Sequence, residues 1–235
     1  MQPRSIVFLG PPGSGKGTQA ARLSSALELP SISTGEILRQ ECQSGSELGK
    51  RLETALRRGE LIGDEQMNEI VQARIRRKDC KGGCILDGFP RTVEQAKYLD
   101  RLVEALGISR PIVFNFCVSG EELIERLNGR KQCPACGRVY SSEFSPSGRG
   151  LFCHNDRTLL VTRADDKPAA IRERLRIYER NVAGLLAYYK GHVCHNLLAG
   201  AMPDEVSDQI FESLGLGCIS PRSLPDAHRY SLAAC

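Results

Sequence analysis

The feature that most constrains this chain is a glycine-rich stretch near its start, Gly10-Pro11-Pro12-Gly13-Ser14-Gly15-Lys16-Gly17-Thr18. An apolar run over residues 5–9 precedes it and predicts a buried parallel strand, and residues 19–27 have the apolar spacing of a helix. Glycines at such a junction let backbone N–H groups turn inward, and the helix N-terminus adds partial positive charge. Lys16 can then reach terminal phosphates. A glycine turn without a ligand is the alternative, but strand, loop, lysine and helix together predict a phosphate-binding loop.

Two positions in the sequence are candidates for holding a magnesium ion. The general phosphate-loop pattern has Ser or Thr directly after the lysine, but this chain has Gly17 followed by Thr18. Asp87 ends a strand-like run over Gly83–Asp87, and ligands of open α/β sheets bind beyond the carboxyl ends of strands. We therefore expect Mg2+ to be held by Asp87 through water ligands, or by the hydroxyl of Thr18. A helix cap or an ion-pair partner is the alternative role for Asp87.

Strand-like and helix-like segments alternate along most of the chain, which predicts an α/β fold with a parallel sheet flanked by helices. Consecutive helical patterns interrupt this alternation and predict a helical insertion near residues 33–62. Turn formers and three cysteines between residues 131 and 166 predict a second insertion. The last eighteen residues, 218–235, have no periodicity and are expected to form a disordered tail.

Composition limits the class of protein. The 235 residues are 41% hydrophobic and 26% charged, as in globular proteins, and the net charge of +4 is too small to favour nucleic acid as the main partner. No run of apolar residues is long enough to span a membrane, and the start of the chain lacks a signal-peptide pattern. We expect a cytoplasmic protein that binds neither membrane nor nucleic acid.

Arginines at turns, insertion boundaries and helix faces form a further candidate group: Arg39, Arg91, Arg126, Arg130, Arg163 and Arg174. Surface arginines are common, so each alone carries little information. As a group they suit phosphoryl transfer. The transition state of that reaction spreads negative charge over oxygens, and planar guanidinium groups can neutralise this charge.

Four motifs together resemble the adenylate kinase family. They are the glycine loop, Ser33-Thr34-Gly35-Glu36-Ile37-Leu38-Arg39, Asp87-Gly88-Phe89-Pro90-Arg91 with Gln95, and Arg163-Ala164-Asp165-Asp166. Their order and spacing match from residue 5 to about 214, and the long second insertion is that of the long-lid members. In that family a glycine after the loop lysine is normal. The resemblance implies a P-loop NTPase-like parallel sheet with a helical AMP-binding insertion and a zinc-ribbon-like lid.

The resemblance also implies domains and residue roles. The core would comprise residues 1–32, 63–128 and 167–217, with an AMP-binding insertion at 33–62 and a lid at 129–166. ATP would be bound by Gly13, Ser14, Gly15, Lys16, Gly17, Thr18, Arg126, Tyr140 and Gly200. AMP would be bound by Thr34, Gly35, Arg39, Glu60, Leu61, Ile62, Gly88, Arg91, Gln95, Arg163 and Arg174. The catalytic set would be Lys16, Asp87, Arg91, Arg130, Arg163 and Arg174, with Asp165 and Asp166 positioning lid arginines. The implied reaction turns ATP and AMP into two ADP, in a monomer.

The cysteines divide into two groups. Cys133-x-x-Cys136 and Cys153-x-x-Asp156 have the spacing of a zinc ribbon, and the family has lids with a Cys-Cys-Cys-Asp set. His154 is the competing fourth ligand, and unliganded thiols are the other alternative. The scattered cysteines are expected to be buried or half-buried thiols: Cys42, Cys80, Cys84, Cys117, Cys194 and Cys218.

Other functions compete with this hypothesis. A kinase for another nucleoside monophosphate would share most of the motifs, and assays against a panel of nucleotides would separate the two. A regulatory nucleotide-binding protein would need the glycine loop but not the arginines. A zinc-ribbon nucleic-acid module would want basic and aromatic residues between the cysteine pairs, and residues such as Arg138, Phe144 and Arg149 supply a few.

Overall fold

The computed structural model describes residues 4–141 and 151–216. The predicted tail, 218–235, and the lid residues Phe144 and Arg149 lie outside the described residues. The strands are β1 (Arg4–Leu9), β2 (Ser31–Ser33), β3 (Gly83–Asp87), β4 (Ser109–Cys117), β5 (Arg130–Gln132), β6 (Val139–Ser141) and β7 (Cys194–Leu198). The α-helices are α1 (Lys16–Leu27), α2 (Thr34–Gln43), α3 (Glu47–Arg58), α4 (Asp64–Ile75), α5 (Val93–Ala105), α6 (Gly120–Asn128), α7 (Pro168–Tyr189) and α8 (Pro203–Ser213). Short 3₁₀ helices cover Lys78–Gly82 and Ala164–Asp166.

The main sheet has five strands in the order β2-β3-β1-β4-β7, and every pairing is parallel. Parallel sheets are covered on both faces, which accounts for the nearly continuous apolar run of β1. Phe8 of β1 lies opposite Asp87 of β3, so the glycine loop and this aspartate leave the sheet side by side. The predicted α/β fold class, a parallel sheet flanked by helices, is confirmed.

The core lies in two layers, one on each face of the sheet. Ile6 and Phe8 point to the layer that contains α1 and α8, whereas Val7 and Leu9 point to the layer that contains α4, α5 and the end of α7. Successive side chains of a strand alternate between faces, so β1 contributes to both layers. This buried frame holds the loop after β1 in a fixed position.

Helices α2 and α3 lie within residues 33–62, the segment that was predicted to be a helical insertion. Ser46 caps α3 by accepting a hydrogen bond from the backbone N–H of Gly49 at 2.8 Å. Gly49 also lets the two helices touch, because a Cβ there would lie 2.2 Å from the carbonyl oxygen of Glu41. The pair therefore packs backbone against backbone.

The second insertion contains the antiparallel strands β5 and β6, which form a separate two-stranded sheet. Gln132 of β5 also pairs with Val161, and Phe152 pairs with Leu159. Among the described residues of this insertion, Cys133, Cys153 and Leu160 form a small buried apolar cluster. So small an apolar centre needs further support to stay folded.

The prediction for the scattered cysteines is wrong at two positions. Cys80 and Cys84 are buried and Cys42 is half-buried, but Cys117 and Cys194 are exposed. The two exposed thiols lie at strand ends, Cys117 at the end of β4 and Cys194 at the start of β7. Apolar neighbours in the sequence did not reveal that these strand ends meet solvent. Cys218 lies outside the described residues.

Across the described ranges, 4–141 and 151–216, no helix is both long enough and apolar enough to cross a membrane.

Candidate active site

The glycine loop connects β1 to α1 and surrounds the ammonium group of Lys16. Gly13 and Gly15 have φ angles of 86° and 90°, a region that side chains rarely allow. Their conformation lets Lys16 Nζ donate to the carbonyl oxygens of Gly10 at 2.9 Å and Pro11 at 2.7 Å. Burial lowers the pKa of Lys16 to about 8, although the carboxylate of Asp87 opposes that shift. The loop thus holds a cation where a phosphate-binding loop needs one.

Asp87 lies directly across the loop from the start of α1. A Cβ built at Gly17 would lie 3.4 Å from Asp87 Oδ2, so the missing side chain at position 17 brings the carboxylate close to the helix N-terminus. The exposed residue after it is Thr18, the other candidate for holding magnesium. Both oxygen donors therefore lie at the mouth of the same loop.

Arg91 is held by the backbone of the segment that follows β3. Its Nε donates to the carbonyl oxygen of Gly88 at 2.8 Å, and the buried Thr34 donates to the same oxygen at 2.9 Å. Gly88 has a φ of 79°, and a Cβ there would lie 3.1 Å from Arg91 Nη2. Burial and the nearby Arg174 lower the pKa of Arg91 to about 10, which still leaves it charged at neutral pH.

The consecutive residues Asp165 and Asp166 form ion pairs with three arginines from distant parts of the chain. Arg130 makes a two-pronged ion pair with Asp166, with Nε donating to Oδ2 at 2.7 Å. Arg174 of α7 donates to Asp166 Oδ1 at 3.1 Å and lies 3.3 Å from Asp165 Oδ2. Arg39 of α2 lies 3.7 Å from the same Asp165 oxygen. Both aspartates are buried, so these charges are largely shielded from water.

Arg163 completes the cationic group. Its Nε donates to Gln132 Oε1 at 2.7 Å, which fixes the guanidinium against β5. Burial, with repulsion from Arg39 and Arg130, lowers its pKa to about 9. Because these positive charges repel one another, a bound phosphate would lower the repulsion, and the group therefore favours the binding of anions. Within the described chain, one large cleft is lined by this set of cations: Lys16, Arg39, Arg91, Arg126, Arg130, Arg163 and Arg174.

At one end of this cleft, Arg126 lies beside the loop that follows β7. It pairs with Glu122 one helical turn earlier, at 2.5 Å, and donates to the carbonyl oxygen of Ala199 at 2.9 Å. A Cβ built at Gly200 would lie 2.9 Å from Glu122 Oε2, so the glycine leaves room for this pair. Tyr140 lies at the lid side of the cleft.

A second, smaller cavity adjoins the cleft between α2, α3 and α4. Among its lining residues are the predicted AMP-binding residues Gly35, Arg39, Glu60, Leu61, Ile62, Gly88, Arg91, Gln95 and Arg174. The structure thus brings many of the residues that were predicted to bind the two nucleotides into adjoining cavities. Thr34 and Gly200 line neither cavity, and the hydroxyl of Thr34 is already bonded to Gly88.

The lid residues Cys133, Cys136, Cys153 and Asp156 form a compact cluster. Their ligand atoms all lie within 4.8 Å of one another, and the Sγ atoms of Cys136 and Cys153 are 3.5 Å apart. A tetrahedral zinc site with Zn–S bonds of about 2.3 Å needs sulfur atoms about 3.8 Å apart. Three thiols and a carboxylate at these distances fit zinc. His154 is outside the cluster, with its ring packed edge-on against Tyr140 at 5.5 Å.

Three side chains that support the site were not singled out from the sequence. Gln132 holds Arg163, Glu122 holds Arg126, and Asp64 bonds to Gln95. Glu122 could have been found from its spacing of four residues before Arg126 on a predicted helix. Asp64 and Gln132 are each 31 residues away in the sequence from the side chain that they bond, and no local signal predicts such contacts.

A parallel sheet with a glycine loop after its central strand, a loop lysine and a group of half-buried arginines defines a nucleotide-binding phosphotransferase of the P-loop class. The family model for adenylate kinase matches residues 8–194. An adenylate kinase of Caldanaerobacter subterraneus subsp. tengcongensis is 40% identical over 210 residues, which is 89% of this chain and 95% of the relative. An adenylate kinase of Thermosipho africanus is 44% identical over 186 residues, 79% and 87% of the two chains. This chain belongs to the adenylate kinase family.

Proposed function

We propose that this chain transfers the terminal phosphoryl group of MgATP to AMP, reversibly, giving two ADP. The observation that carries the proposal is a large cleft in which the lysine of a glycine loop and a set of half-buried arginines line the same space, beside a second cavity lined by Arg91 and Gln95. Two adjoining anion sites suit a reaction between two nucleotides. The proposed biological role is the balance of adenine nucleotides.

The chemistry requires positioning and neutralisation of charge. AMP already carries the attacking phosphate oxygen, so no side chain has to act as a nucleophile or as a general base. We assign Lys16 to the transferred phosphoryl group and Arg91 to the acceptor phosphate, with Arg130, Arg163 and Arg174 neutralising the oxygens between them. Water competes as an acceptor, so closure of the lid over the cleft would exclude it.

Magnesium would accompany ATP at the mouth of the loop. Asp87 and Thr18 supply the hard oxygen donors that this ion prefers, and the fit rests on the position of Asp87 beside Gly17. A magnesium ion held there would offset negative charge on the phosphate oxygens. Gly13, Ser14, Gly15 and Lys16 would hold the phosphates, while Arg126, Tyr140 and Gly200 would border the donor base.

Zinc would have a structural role in the lid. Four protein ligands leave no open position, so the ion would take no part in the chemistry. The proposed ligands are Cys133, Cys136, Cys153 and Asp156, and the small apolar centre of the lid explains why a metal cross-link is useful there. The backbone supports the site, because the N–H of Cys136 already points at the sulfur of Cys133, 3.4 Å away.

We also infer that the enzyme works as a monomer in the cytoplasm, without nucleic acid or membrane. All the arginines of the cleft come from one chain, and all the cysteines that the structure describes are free thiols. Thiols persist in a reducing compartment, which suits both the lid cluster and a cytoplasmic location.

A coupled phosphotransfer assay tests the proposal. The protein is given MgATP with AMP, UMP, CMP or GMP in turn, and AMP is expected to be the preferred acceptor. Arg91→Ala should lower turnover about a hundredfold or more, which is the scale for losing one charge at a transferring phosphoryl group. Arg176→Ala is the control, since Arg176 pairs with Glu173 on the exposed surface. Near wild-type turnover in Arg91→Ala would refute the assignment of the acceptor site.

A further inference from the structure

The side-chain amide of Gln95 is held at both ends. Gln95 lies at the start of α5 and is 2% exposed. Its Nε2 donates to Asp64 Oδ1 at 2.8 Å, and its Oε1 accepts from the backbone N–H of Arg91 at 2.8 Å. A carboxylate can only accept and a backbone N–H can only donate. The two partners therefore require the same orientation of the amide and oppose its rotation by 180°.

Asp64 is itself fixed in place. It lies in the first turn of α4, and its second oxygen, Oδ2, accepts from the hydroxyl of Thr92 at 2.8 Å. That hydroxyl in turn accepts from the backbone N–H of Gln95 at 3.2 Å, as the N-cap of α5. The carboxylate thus joins α4 to the start of α5, with both of its oxygens hydrogen-bonded. It can only accept a hydrogen bond from Gln95, and its orientation is fixed.

This arrangement leaves one hydrogen-bonding function at each end of the Gln95 amide. Nε2 has a second hydrogen and Oε1 has a second lone pair, and the described part of the chain supplies no side-chain partner for either. Gln95 lines the smaller cavity together with Leu61, Ile62 and Met67, an apolar wall that would suit a flat base. A donor and an acceptor side by side at a cavity wall form a recognition edge of fixed polarity.

The polarity distinguishes between purines. Adenine presents an acceptor at N1 and a donor at its 6-amino group, which match the free N–H and the free lone pair of Gln95. Hypoxanthine and guanine present a donor at N1–H and an acceptor at O6, which reverses both positions. A 6-oxo purine would place donor against donor and acceptor against acceptor, and sites with buried polar groups reject such ligands strongly.

We propose that Asp64 is a positioning residue that makes the acceptor site selective for 6-amino purine monophosphates over their 6-oxo counterparts. It acts through Gln95, by preventing the amide from turning over to suit the opposite polarity. The inference rests on the proposed function, in that it takes the acceptor base to lie beside Gln95.

The test compares AMP and IMP as acceptors, because the two differ only at the edge in question. Asp64→Asn replaces an obligate acceptor by an amide that can also donate, so Gln95 can turn at the cost of one remaining partner, the N–H of Arg91. We expect the ratio of kcat/KM for AMP to that for IMP to fall about tenfold, the scale of one charged hydrogen bond. This ratio does not depend on the fraction of folded enzyme. Should Asp64→Asn give no active protein, Asp64→Ser removes the same carboxylate.

The neighbouring Glu65→Gln is the matched control, because it removes an exposed carboxylate from the same helical turn. A second arm repeats Asp64→Asn in a Gln95→Met background, where the ratio should no longer respond to position 64. A fall of less than threefold in Asp64→Asn, an equal fall in Glu65→Gln, or an undiminished response in the Gln95→Met background would overturn the proposal. If the wild type does not phosphorylate AMP, the proposed function fails instead.

Discussion

The ammonium group of Lys16 lies 2.7 Å from the carbonyl oxygen of Pro11, inside the loop that carries both residues. A second carbonyl, that of Gly10, accepts at 2.9 Å. Neutral carbonyls compensate only partly for the water that the ammonium has lost, and desolvation disfavours the charged form of a lysine. The position that makes Lys16 useful to a phosphate therefore also makes its charge easier to lose.

The first prediction concerns pH. The pKa of Lys16 is lowered from 10.5 to about 8, so the free enzyme carries the charge below that pH and loses it above. We expect kcat/KM for ATP to fall as pH rises through about 8, since this parameter follows ionisation of the free enzyme. The value of kcat should hold to higher pH, because bound phosphates favour the charged lysine. In Lys16→Arg the falling limb should move to higher pH, because a guanidinium keeps its charge well above the pH at which a lysine loses it. An unchanged limb in that variant would contradict the assignment to Lys16.

The second prediction contrasts a buried with an exposed ion pair. The side chain of Asp166 is 0% exposed, and Asp166→Asn leaves Arg130 and Arg174 without their shared counter-charge. The free energy of unfolding should fall by about 3–5 kcal/mol, as expected for breaking a buried pair. Asp204 is 53% exposed and lies 2.6 Å from Arg22, so Asp204→Asn should cost less than about 1 kcal/mol. Denaturant unfolding measures both. Equal losses would show that burial does not set the strength of these pairs.

The third prediction tests the contact between α2 and α3. In Gly49→Ala the new methyl group would meet the carbonyl oxygen of Glu41, so the two helices must separate. We expect a loss of about 1–3 kcal/mol in stability and a higher KM for AMP, with the KM for ATP unchanged. Gly120→Ala is the control, because nothing lies within 4 Å of its Cβ position. A parallel rise in both KM values would argue against a separate AMP-binding insertion.

The fourth prediction concerns the metal. Purified protein should contain one zinc ion, and Cys136→Ser should lose it and lower the melting temperature, because zinc supplies on the order of 10–16 kcal/mol of apparent folding energy in small ribbons. Asp156→Ala should weaken retention of zinc more than His154→Ala, since the histidine lies outside the cluster. Cys117→Ser, at an exposed free thiol, is the control. Metal analysis after dialysis against a mild chelator decides between the variants, and zinc-free wild-type protein would refute the site.

Much of the fold followed from the sequence because its signals are local. The glycine loop and the apolar runs each act within a few positions, and they predicted the order of strands and helices. The apolar run over residues 5–9, for example, predicted the strand that the structure has at Arg4–Leu9. Boundaries were less accurate, as with α1, which covers Lys16–Leu27 and not only the predicted residues 19–27.

The side chains that hold the site residues in place could not be predicted in the same way. Asp64 meets Gln95 only because α4 packs beside α5, and Gln132 meets Arg163 only because β5 lies beside the last segment of the lid. The exposure of Cys117 likewise depends on where its strand ends relative to the helices. Each of these facts depends on tertiary packing, which sequence spacing does not contain.

The shared carboxylates of Asp165 and Asp166 have a consequence for how this sequence can change over time. Arg39, Arg130 and Arg174 come from three separate parts of the chain, yet each depends on these two neighbouring residues for its counter-charge. Effects of substitutions at residues that share partners do not add. The loss of stability on replacing any one of these arginines should therefore depend on which of the others is present. A substitution at one of the three positions can thus make a substitution at another more or less tolerable.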